Sequence, residues 1–304
     1  MKFSVTILGS GAALPIIGRM PTSQVVNLSE QLFMIDCAEG TQLQIRRYKI
    51  RLQRINHIFI SHMHGDHYLG LQGVISSMSL LGRKTALTIY GPEGLEELIR
   101  LNLKVSVTYL NFDLKFVVTN PKEPEVLLTN NIVQVSTIPL RHRIACTGFK
   151  FQELPKPPKI KSEKIQELGI GIEEILALKR GEDVHRESGE ILKADECTTP
   201  SPKPKSYAFC SDTAYHQSVI DLVKGVNTLY HESTFLEKDA ARAKQTGHST
   251  AHQAALVAKE AGVNHLILGH FSARYKSVEM FRSEAQETFP NVGIANDGDV
   301  FKVI

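Results

Sequence analysis

Residues 61–70 read SHMHGDHYLG, and they follow the apolar run 58–60, which is typical of a buried strand. Within six positions the segment holds three histidines and one aspartate: His62, His64, Asp66 and His67. Imidazole nitrogens and carboxylate oxygens are ligands that zinc accepts. We predict an irregular turn through Gly65, because residues one or two apart on a helix face different directions. The segment predicts a metal site rather than a polar surface loop.

Three further candidate ligands follow apolar runs later in the chain. In order, they are His142, Asp212 and His270. Asp212 comes after the run 207–210, and His270 comes just after the run 266–268. Open α/β sheets place their binding residues at the carboxyl ends of strands, so side chains from separate strands can meet there. The sequence therefore predicts seven ligands, which suit two metals better than one.

The HxHxDH pattern at 62–67, followed by these three residues, resembles the signature of the metallo-β-lactamase superfamily. The resemblance implies an α/β fold, a four-layer αββα sandwich with two sheets face to face and helices outside. It also implies two Zn²⁺ ions per subunit. One would bind His62, His64 and His142, the other would bind Asp66, His67 and His270, and Asp212 would bridge them. Two metals about 3.5–4 Å apart stabilise the attacking and leaving oxygens of a displacement, so hydrolysis is the implied chemistry.

Motifs at both ends of the chain narrow the family. Residues 231–235 read HESTF and residues 247–255 read GHSTAHQAA. With TILGSGAALP at 6–15 and FMIDCAEGTQLQI at 33–45, they resemble the ribonuclease Z family over essentially the whole chain. The resemblance implies a homodimeric endoribonuclease that removes the 3′ trailer from precursor tRNA. The cut would follow the discriminator nucleotide, leaving a 3′-hydroxyl on the tRNA and a 5′-phosphate on the trailer.

The resemblance also implies roles for three residues in proton transfer. His248 would donate a proton to the departing 3′ oxygen, because an alkoxide leaving group needs a general acid near neutral pH. Glu232 would either transfer a proton itself or orient His248, and the sequence leaves both open. Asp66 would accept a proton from the attacking water besides binding metal. The alternative for His248 is a structural residue beside the Ser249–Thr250 pair, which is typical of a helix N-cap.

The segment 153–205 interrupts the pattern of strands and helices, and we interpret it as a flexible arm inserted in a single domain spanning 1–304. Prolines cluster at its two ends, within 155–158 and 200–204, which is typical of the stems of a projection. By resemblance this arm binds tRNA, and its motif ends at Lys179, Arg180 and Gly181. The Gly-Pro element that usually precedes that ending is absent. The alternative is a mobile surface excursion, because positive and negative charges balance across the segment.

A second candidate for RNA binding is the basic segment TQLQIRRYKIRLQR at 41–54, which includes Arg46 and Arg47 and no acidic residue. Basic clusters can hold phosphates, although a solvated helix face has the same composition. The net charge of +3 permits RNA binding without requiring it.

Composition favours a cytoplasmic enzyme without a membrane segment. No run approaches the roughly 20 apolar residues that a membrane helix needs. Residues 1–15 are interpreted as a first strand and turn, because Gly9 and Gly11 break their apolar stretch. The cysteines show no CxxC pairing, which favours a reducing compartment; they are Cys37, Cys146, Cys197 and Cys210.

Two other functional classes remain open. A small-molecule phosphodiesterase, lactonase or thioesterase of the same superfamily would share the metal ligands, with the arm covering its pocket. A non-enzymatic RNA-binding protein would keep a vestigial site. The ratio of rates on RNA and on a small diester tests the first alternative, and a metal assay tests the second.

Apolar periodicity also makes two local predictions that bear on the fold. It predicts a strand near 105–110. Within the arm it predicts a short helix over 163–178 that is interrupted at Gly169 and Gly171.

Overall fold

A computed structural model describes residues 3–304 of the chain. Its strands, numbered along the chain, are β1 (Phe3–Gly9), β2 (Ser23–Leu28), β3 (Gln31–Cys37), β4 (Ile55–Phe59), β5 (Leu87–Gly91), β6 (Leu114–Val118), β7 (Val126–Thr129), β8 (Val133–Pro139), β9 (Thr147–Glu153), β10 (Lys159–Ile160), β11 (Val184–His185), β12 (Ile191–Leu192), β13 (Thr198–Thr199), β14 (Ser206–Cys210), β15 (Thr228–Glu232), β16 (His265–Gly269), β17 (Val292–Ile294) and β18 (Val300–Lys302). The helices are α1 (Thr41–Arg47), α2 (Gly65–Tyr68), α3 (Leu71–Leu80), α4 (Leu95–Val105), α5 (Ser162–Leu168), α6 (Ile172–Lys179), α7 (Ala194–Cys197), α8 (Gln217–Leu222), α9 (Ala240–Thr246), α10 (Ala251–Glu260) and α11 (Glu279–Gln286).

Two seven-stranded sheets dominate the architecture. The first has the strand order β18-β1-β2-β3-β4-β5-β6, and the second has the order β17-β16-β15-β14-β9-β8-β7. Strands β3, β4 and β5 run parallel, as do β14, β15 and β16. The carboxyl ends of parallel neighbours lie at one edge of a sheet, which is where binding residues collect in such folds.

The buried apolar side chains form separate layers. Successive residues of a strand point to opposite faces of the sheet. Phe59 of β4 therefore packs between the sheets, 5.3 Å from Phe149 and 5.5 Å from Phe151 in ring centroids, while Ile58 packs on the outer face of its sheet with Ile75 of α3. On the outer face of the second sheet, residues of α8, α10 and α11 pack against β15 and β16. The predicted four-layer αββα sandwich is confirmed.

The strand predicted near 105–110 is wrong. Helix α4 continues to Val105, and Val107 adopts a left-handed φ of 53° in the turn that follows. Apolar residues alternate through this segment as they do in a strand, but Val105, Val107 and Tyr109 are exposed, so no buried face supports a strand there.

Residues 153–204 form a compact unit, and residues 3–152 with 205–304 form the other. Within the arm unit, helices α5 and α6 are separated at Gly169 and Gly171, as predicted, and Gly169 has a left-handed φ of 58°. The arm has a small apolar core, consisting of Ile170, Leu178, Leu192, Ala194 and Cys197. Arg186 also forms a bidentate ion pair with Glu174, with N–O distances of 2.7 and 2.8 Å.

Across residues 3–304, the helices are too short or too polar to serve as membrane-spanning segments.

Candidate metal centre

Four predicted ligands surround one point at the edge of the sheets. His62 and His64 lie in the loop after β4, and His142 lies between β8 and β9. His64 Nδ1 is 2.9 Å from His62 Nε2 and 3.2 Å from His142 Nε2. Asp212 follows β14, and its Oδ2 lies 3.6 Å from His62 Nε2 and 3.7 Å from His142 Nε2. These four side chains could hold one metal ion.

The other three predicted ligands form a second cluster on the opposite side of Asp212. Asp66 and His67 lie in α2, and His270 follows β16. Asp66 Oδ2 is 3.4 Å from His67 Nε2 and 3.5 Å from His270 Nε2. Asp212 Oδ1 is 3.2 Å from His67 Nε2 and 3.1 Å from His270 Nε2. Asp212 therefore presents one oxygen to each cluster, which is the geometry that a bridging ligand requires.

The irregular turn predicted for 61–70 is correct for its first half and wrong for its second. Asp66 and His67 lie in the one-turn helix α2, yet their ligand atoms come within 3.4 Å. The prediction that a helix could not bring these ligand atoms together is therefore wrong for Asp66 and His67. Gly65 does not adopt a left-handed conformation either, and a Cβ at Gly65 would meet only the exposed and flexible side chain of Leu69, so the structure shows no requirement for glycine there.

The unpaired nitrogens of two buried histidines fit a metal ion. In the part of the chain that the structure describes, Nε2 of His67 and Nε2 of His270 are buried and form no hydrogen bond. The other ring nitrogens are engaged, because His67 Nδ1 lies 2.7 Å from Asp36 Oδ2 and His270 Nδ1 lies 2.8 Å from Thr234 Oγ1. A buried ring nitrogen that makes no hydrogen bond is costly unless it binds a metal. The donor set therefore fits a metal-binding site.

The buried charges of the site also favour a cation. Burial alone would lower the pKa of His67, but the Asp212 and Asp36 carboxylates raise it well above its ordinary value. Burial and the neighbouring His67 lower the pKa of His62 to about 2, so His62 is neutral, the form that binds metal. Burial would raise the pKa of Asp212, but the imidazoles of His270 and His67 hold it well below its usual range.

Several partners of the ligands were not predicted from the sequence. Asp36, at the end of β3, accepts hydrogen bonds from the backbone N–H and the hydroxyl of Ser61 at 2.8 and 3.0 Å, besides contacting His67. His142 Nδ1 lies 2.8 Å from the carbonyl oxygen of Gly247. Such contacts orient the imidazoles and determine which ring nitrogen can bind metal.

A backbone signature accompanies these residues. Asp36, Asp212 and His270 have φ values of 53°, 60° and 59°, in the left-handed region that non-glycine residues seldom adopt. Strained conformations of this kind cluster at functional sites. Asp36 also follows the apolar run 33–35, the same sequence pattern that precedes Asp212 and His270. That pattern is the signal by which Asp36 could have been found.

His248 and Glu232 form a pair beside the two clusters. Glu232 ends β15 and is fully buried, and its Oε1 lies 2.8 Å from His248 Nδ1. Burial alone would lower the pKa of His248, but the Glu232 carboxylate raises it to about 9, which keeps the ring protonated at neutral pH. The N-cap of α10 is Thr250, whose side chain accepts from the backbone N–H of Gln253 at 3.1 Å. The cap does not use the His248 ring.

A cleft of about 400 Å³ opens onto both clusters. Its walls include His64, Asp66, Asp212, His248 and His270. Three arginines on separate segments also line it, and none of them forms an ion pair within residues 3–304; they are Arg143, Arg242 and Arg274. These arginines were not among the predicted RNA contacts.

The predicted RNA-contacting residues belong to helix α1 and to the arm. Arg46 and Arg47 are exposed in the last turn of α1, and neither contributes to the walls of the cleft. Lys179 ends α6 in the arm, and Arg180 is paired with Glu182 at 2.7 Å. Gly181 follows with a left-handed φ of 84°.

The αββα sandwich with two metal-ligand clusters at its edge defines a metal-binding protein of the metallo-β-lactamase fold. Bacillus subtilis YhfI, a metallo-β-lactamase-fold protein, has a TM-score of 0.70 at 19% identity, covering 99% of this chain and 98% of its own. Human tRNase Z, short form, has a TM-score of 0.71 at 24% identity, covering 99% of both chains. Residues 3–154 match the family model described as Anti-Pycsar protein Apyc1.

Ribonuclease Z of Parabacteroides distasonis is 43% identical to this chain over 97% of each sequence. The chain belongs to the ribonuclease Z family, and the family predicted from its motifs is confirmed.

Proposed function

We propose that this chain is a zinc-dependent endoribonuclease that removes the 3′ trailer from precursor tRNA. It cuts after the discriminator nucleotide and leaves a 3′-hydroxyl on the tRNA and a 5′-phosphate on the trailer. The observation that carries the proposal is that His248, backed by Glu232, lines the same cleft as the bridging Asp212. A general acid and a two-metal ligand set at one cleft are what phosphodiester hydrolysis needs. The names of the related proteins support RNA as the substrate.

We assign each residue the role that the family resemblance implies, and the contacts of Glu232 support its assignment. When bound by the seven ligands, two Zn²⁺ ions would polarise the phosphate as Lewis acids and lower the pKa of water to about 7. Asp66, besides its ligand role, accepts the proton of the attacking water. His248 donates a proton to the departing 3′ oxygen. Glu232 orients His248 and does not touch substrate, because it is fully buried and both its oxygens already accept hydrogen bonds from His248, Thr213 and Thr234.

Cleavage of an end-labelled precursor tRNA by the purified protein tests this function directly. We expect a single cut after the discriminator nucleotide that disappears with a chelator and returns with added zinc. No cut by zinc-loaded protein would favour the small-molecule hydrolase instead.

The arginines of the cleft favour a substrate with several phosphates over a small diester. Arg143 follows the ligand His142, Arg242 lies in α9, and Arg274 lies over the ring of Phe235 at 5.7 Å. Apart from the ligands Asp66 and Asp212, the walls of the cleft include no acidic side chain. An RNA backbone places phosphates on both sides of the scissile bond, where these cations can contact it.

Removing two of these arginines tests that interpretation. We expect Arg143→Ala with Arg242→Ala to raise KM for precursor tRNA roughly tenfold or more and to reduce the slope of log KM against log salt concentration by about 0.7 per lost contact. The rate on a small diester should stay within about twofold. Arg100→Ala, which removes an exposed arginine paired with Glu96 on α4, is the matched control. Equal losses on RNA and small diester would contradict RNA-backbone binding by these residues.

The arm is the second element that we assign to tRNA binding. It is inserted between adjacent antiparallel strands, because Gln152 of β9 pairs with Ser206 of β14. The segment 153–205 can therefore be replaced by an Asn-Gly hairpin turn without changing the register of the sheet. The arm has its own apolar core, which supports an ordered binding element rather than a mobile surface segment.

We expect the hairpin replacement to raise KM for precursor tRNA at least about tenfold, equivalent to about 1.4 kcal/mol of binding free energy. Turnover of a small diester and zinc content should be unchanged, because the metal ligands lie outside the arm. Lys179→Ala with Arg180→Ala is a smaller test of the arm motif. An unchanged KM for tRNA in the replacement variant would show that the arm does not bind substrate.

We also propose a homodimer in the cytoplasm. A groove of about 720 Å³ lies beside the exposed apolar side chains of Ile17, Leu43 and Leu69, an apolar surface that a second copy would cover. Sedimentation at twice the chain mass supports this, and a monomer contradicts it. The four cysteines are all free thiols in the structure, which suits a reducing compartment.

A further inference from the structure

We infer that the Thr234 hydroxyl positions His270 for metal binding and connects this ligand to the Glu232–His248 pair. Thr234 is buried, and its Oγ1 lies 2.5 Å from Glu232 Oε2 and 2.8 Å from His270 Nδ1. The consequence for RNA cleavage rests on the proposed function, whereas the consequence for metal binding does not.

The direction of each hydrogen bond follows from the inventory of donors and acceptors. A threonine hydroxyl has one proton and two lone pairs, and an ionised carboxylate only accepts. The Thr234 hydroxyl therefore donates to Glu232 Oε2, which also accepts the Thr234 backbone N–H at 3.2 Å. With its proton engaged, Oγ1 can only accept from His270, so His270 Nδ1 carries the ring proton.

This arrangement selects the tautomer of His270 that can bind a metal. With the proton on Nδ1, Nε2 presents its lone pair toward the second cluster. That Nε2 is the buried atom without a hydrogen bond, 3.1 Å from Asp212 Oδ1. His67 and His142 are oriented by pure acceptors, the Asp36 carboxylate and the Gly247 carbonyl. His270 instead contacts the Thr234 hydroxyl, and Glu232 determines the direction in which that hydroxyl points.

Glu232 consequently acts on both parts of the site. Its Oε1 accepts from His248 Nδ1 at 2.8 Å, and its Oε2 acts on His270 through Thr234. One buried carboxylate thus orients the proton donor and one metal ligand together. Thr234 is a positioning residue: it borders the cleft, but its hydroxyl is engaged by Glu232 and His270 and so acts through them.

Zinc binding by Thr234 variants tests the inference without any RNA. Thr234→Val keeps the shape of the side chain but removes the hydroxyl, and Thr234→Ser restores it. Competition with a chromophoric chelator, followed by metal analysis, measures the two zinc affinities separately. We expect Thr234→Val to bind one of its two zinc ions about 10- to 100-fold more weakly, with the other unchanged. Thr234→Ser should remain within about threefold of the parent protein.

Ser233→Ala is the matched control, because it removes the neighbouring buried hydroxyl. The Ser233 hydroxyl donates to the Gly269 carbonyl at 3.2 Å, which keeps a second donor in the Ser233 backbone N–H at 2.9 Å. Its zinc affinities should not change. Circular dichroism verifies folding, and Thr234→Ala replaces Thr234→Val if the valine variant does not fold.

Two results would overturn the inference. One is parental affinity for both zinc ions in Thr234→Val. The other is a loss in Thr234→Val that serine does not restore, since that would make the defect one of packing. A parent protein that binds two zinc ions but leaves precursor tRNA intact would refute the proposed function while leaving the Thr234 result standing.

Discussion

We expect Asp212→Ala to abolish cleavage of precursor tRNA and to lower the zinc content below one ion per chain. The physical reason is that Asp212 contributes to both clusters, with Oδ1 3.1 Å from His270 Nε2 and Oδ2 3.6 Å from His62 Nε2. Without this carboxylate, both clusters lose a ligand and the negative charge that would attract the metal ions. We expect kcat/KM to fall at least about 10³-fold, equivalent to about 4 kcal/mol of transition-state stabilisation. Metal analysis and the tRNA cleavage assay measure the two effects.

Asp66→Ala gives a graded comparison, because Asp66 faces only the cluster of His67 and His270. It should also abolish cleavage but retain about one zinc ion per chain. Asp221→Ala removes an exposed carboxylate from α8 and serves as the control with unchanged zinc and turnover. Two zinc ions and normal cleavage in Asp212→Ala would rule out a bridging role for this residue.

The candidate ligands could be predicted from the sequence because metal chemistry restricts both residue type and position. Only a few side chains bind zinc, and Asp212 and His270 each follow an apolar strand whose carboxyl end lies at the site. The same logic extends to Asp36, which follows the run 33–35 and is the penultimate residue of β3. The sequence contained that signal but no indication that Asp36 would orient a ligand instead of binding metal.

Contacts between distant segments could not be predicted in the same way. The three arginines of the cleft come from loops and a helix far apart in the chain, so no local cluster of charge marks them. The basic segment 41–54 is contiguous in the sequence, and its Arg46 and Arg47 are exposed at the end of α1, where their RNA contact stays a prediction. A contiguous basic segment is visible in the sequence, whereas the charges of a cleft come together only when the chain folds.

The strand predicted near 105–110 from alternating apolar residues is wrong for a related reason. The segment 105–110 alternates apolar and polar residues, but alternation predicts a strand only where one face is buried. Val105 and Tyr109 are exposed beyond the end of α4, so the pattern has no packing partner. The role that we infer for the Thr234 hydroxyl could not be predicted from the sequence either. It depends on the contacts of Oγ1 with Glu232 and His270, which only the folded structure shows.

We expect His248→Ala to lower kcat for precursor tRNA by about 10²- to 10⁴-fold, the range for loss of a general acid. Both zinc ions should remain, because Nδ1 of His248 is engaged by Glu232 at 2.8 Å and lies 4.0 Å from Asp212 Oδ2. KM should change little, since the ring contributes to the departure of the 3′ oxygen rather than to binding. Steady-state kinetics and metal analysis on the same preparation separate these effects.

His252→Ala removes a histidine from α10 whose Nδ1 contacts Thr288 Oγ1 at 3.2 Å, and it should leave kcat unchanged. A double variant with Glu232→Ala decides the role of the carboxylate. If Glu232 affects turnover only by orienting His248, then Glu232→Ala should cause no further loss of kcat in a protein that already carries His248→Ala. The exception is any loss that follows from weaker zinc binding, because Glu232 also acts on His270 through Thr234. Loss of zinc in His248→Ala would point instead to a ligand, because nitrogen and oxygen atoms of Asp212, His248 and His270 lie within 4.8 Å of one another. Full turnover with both zinc ions bound would remove His248 from the chemistry altogether.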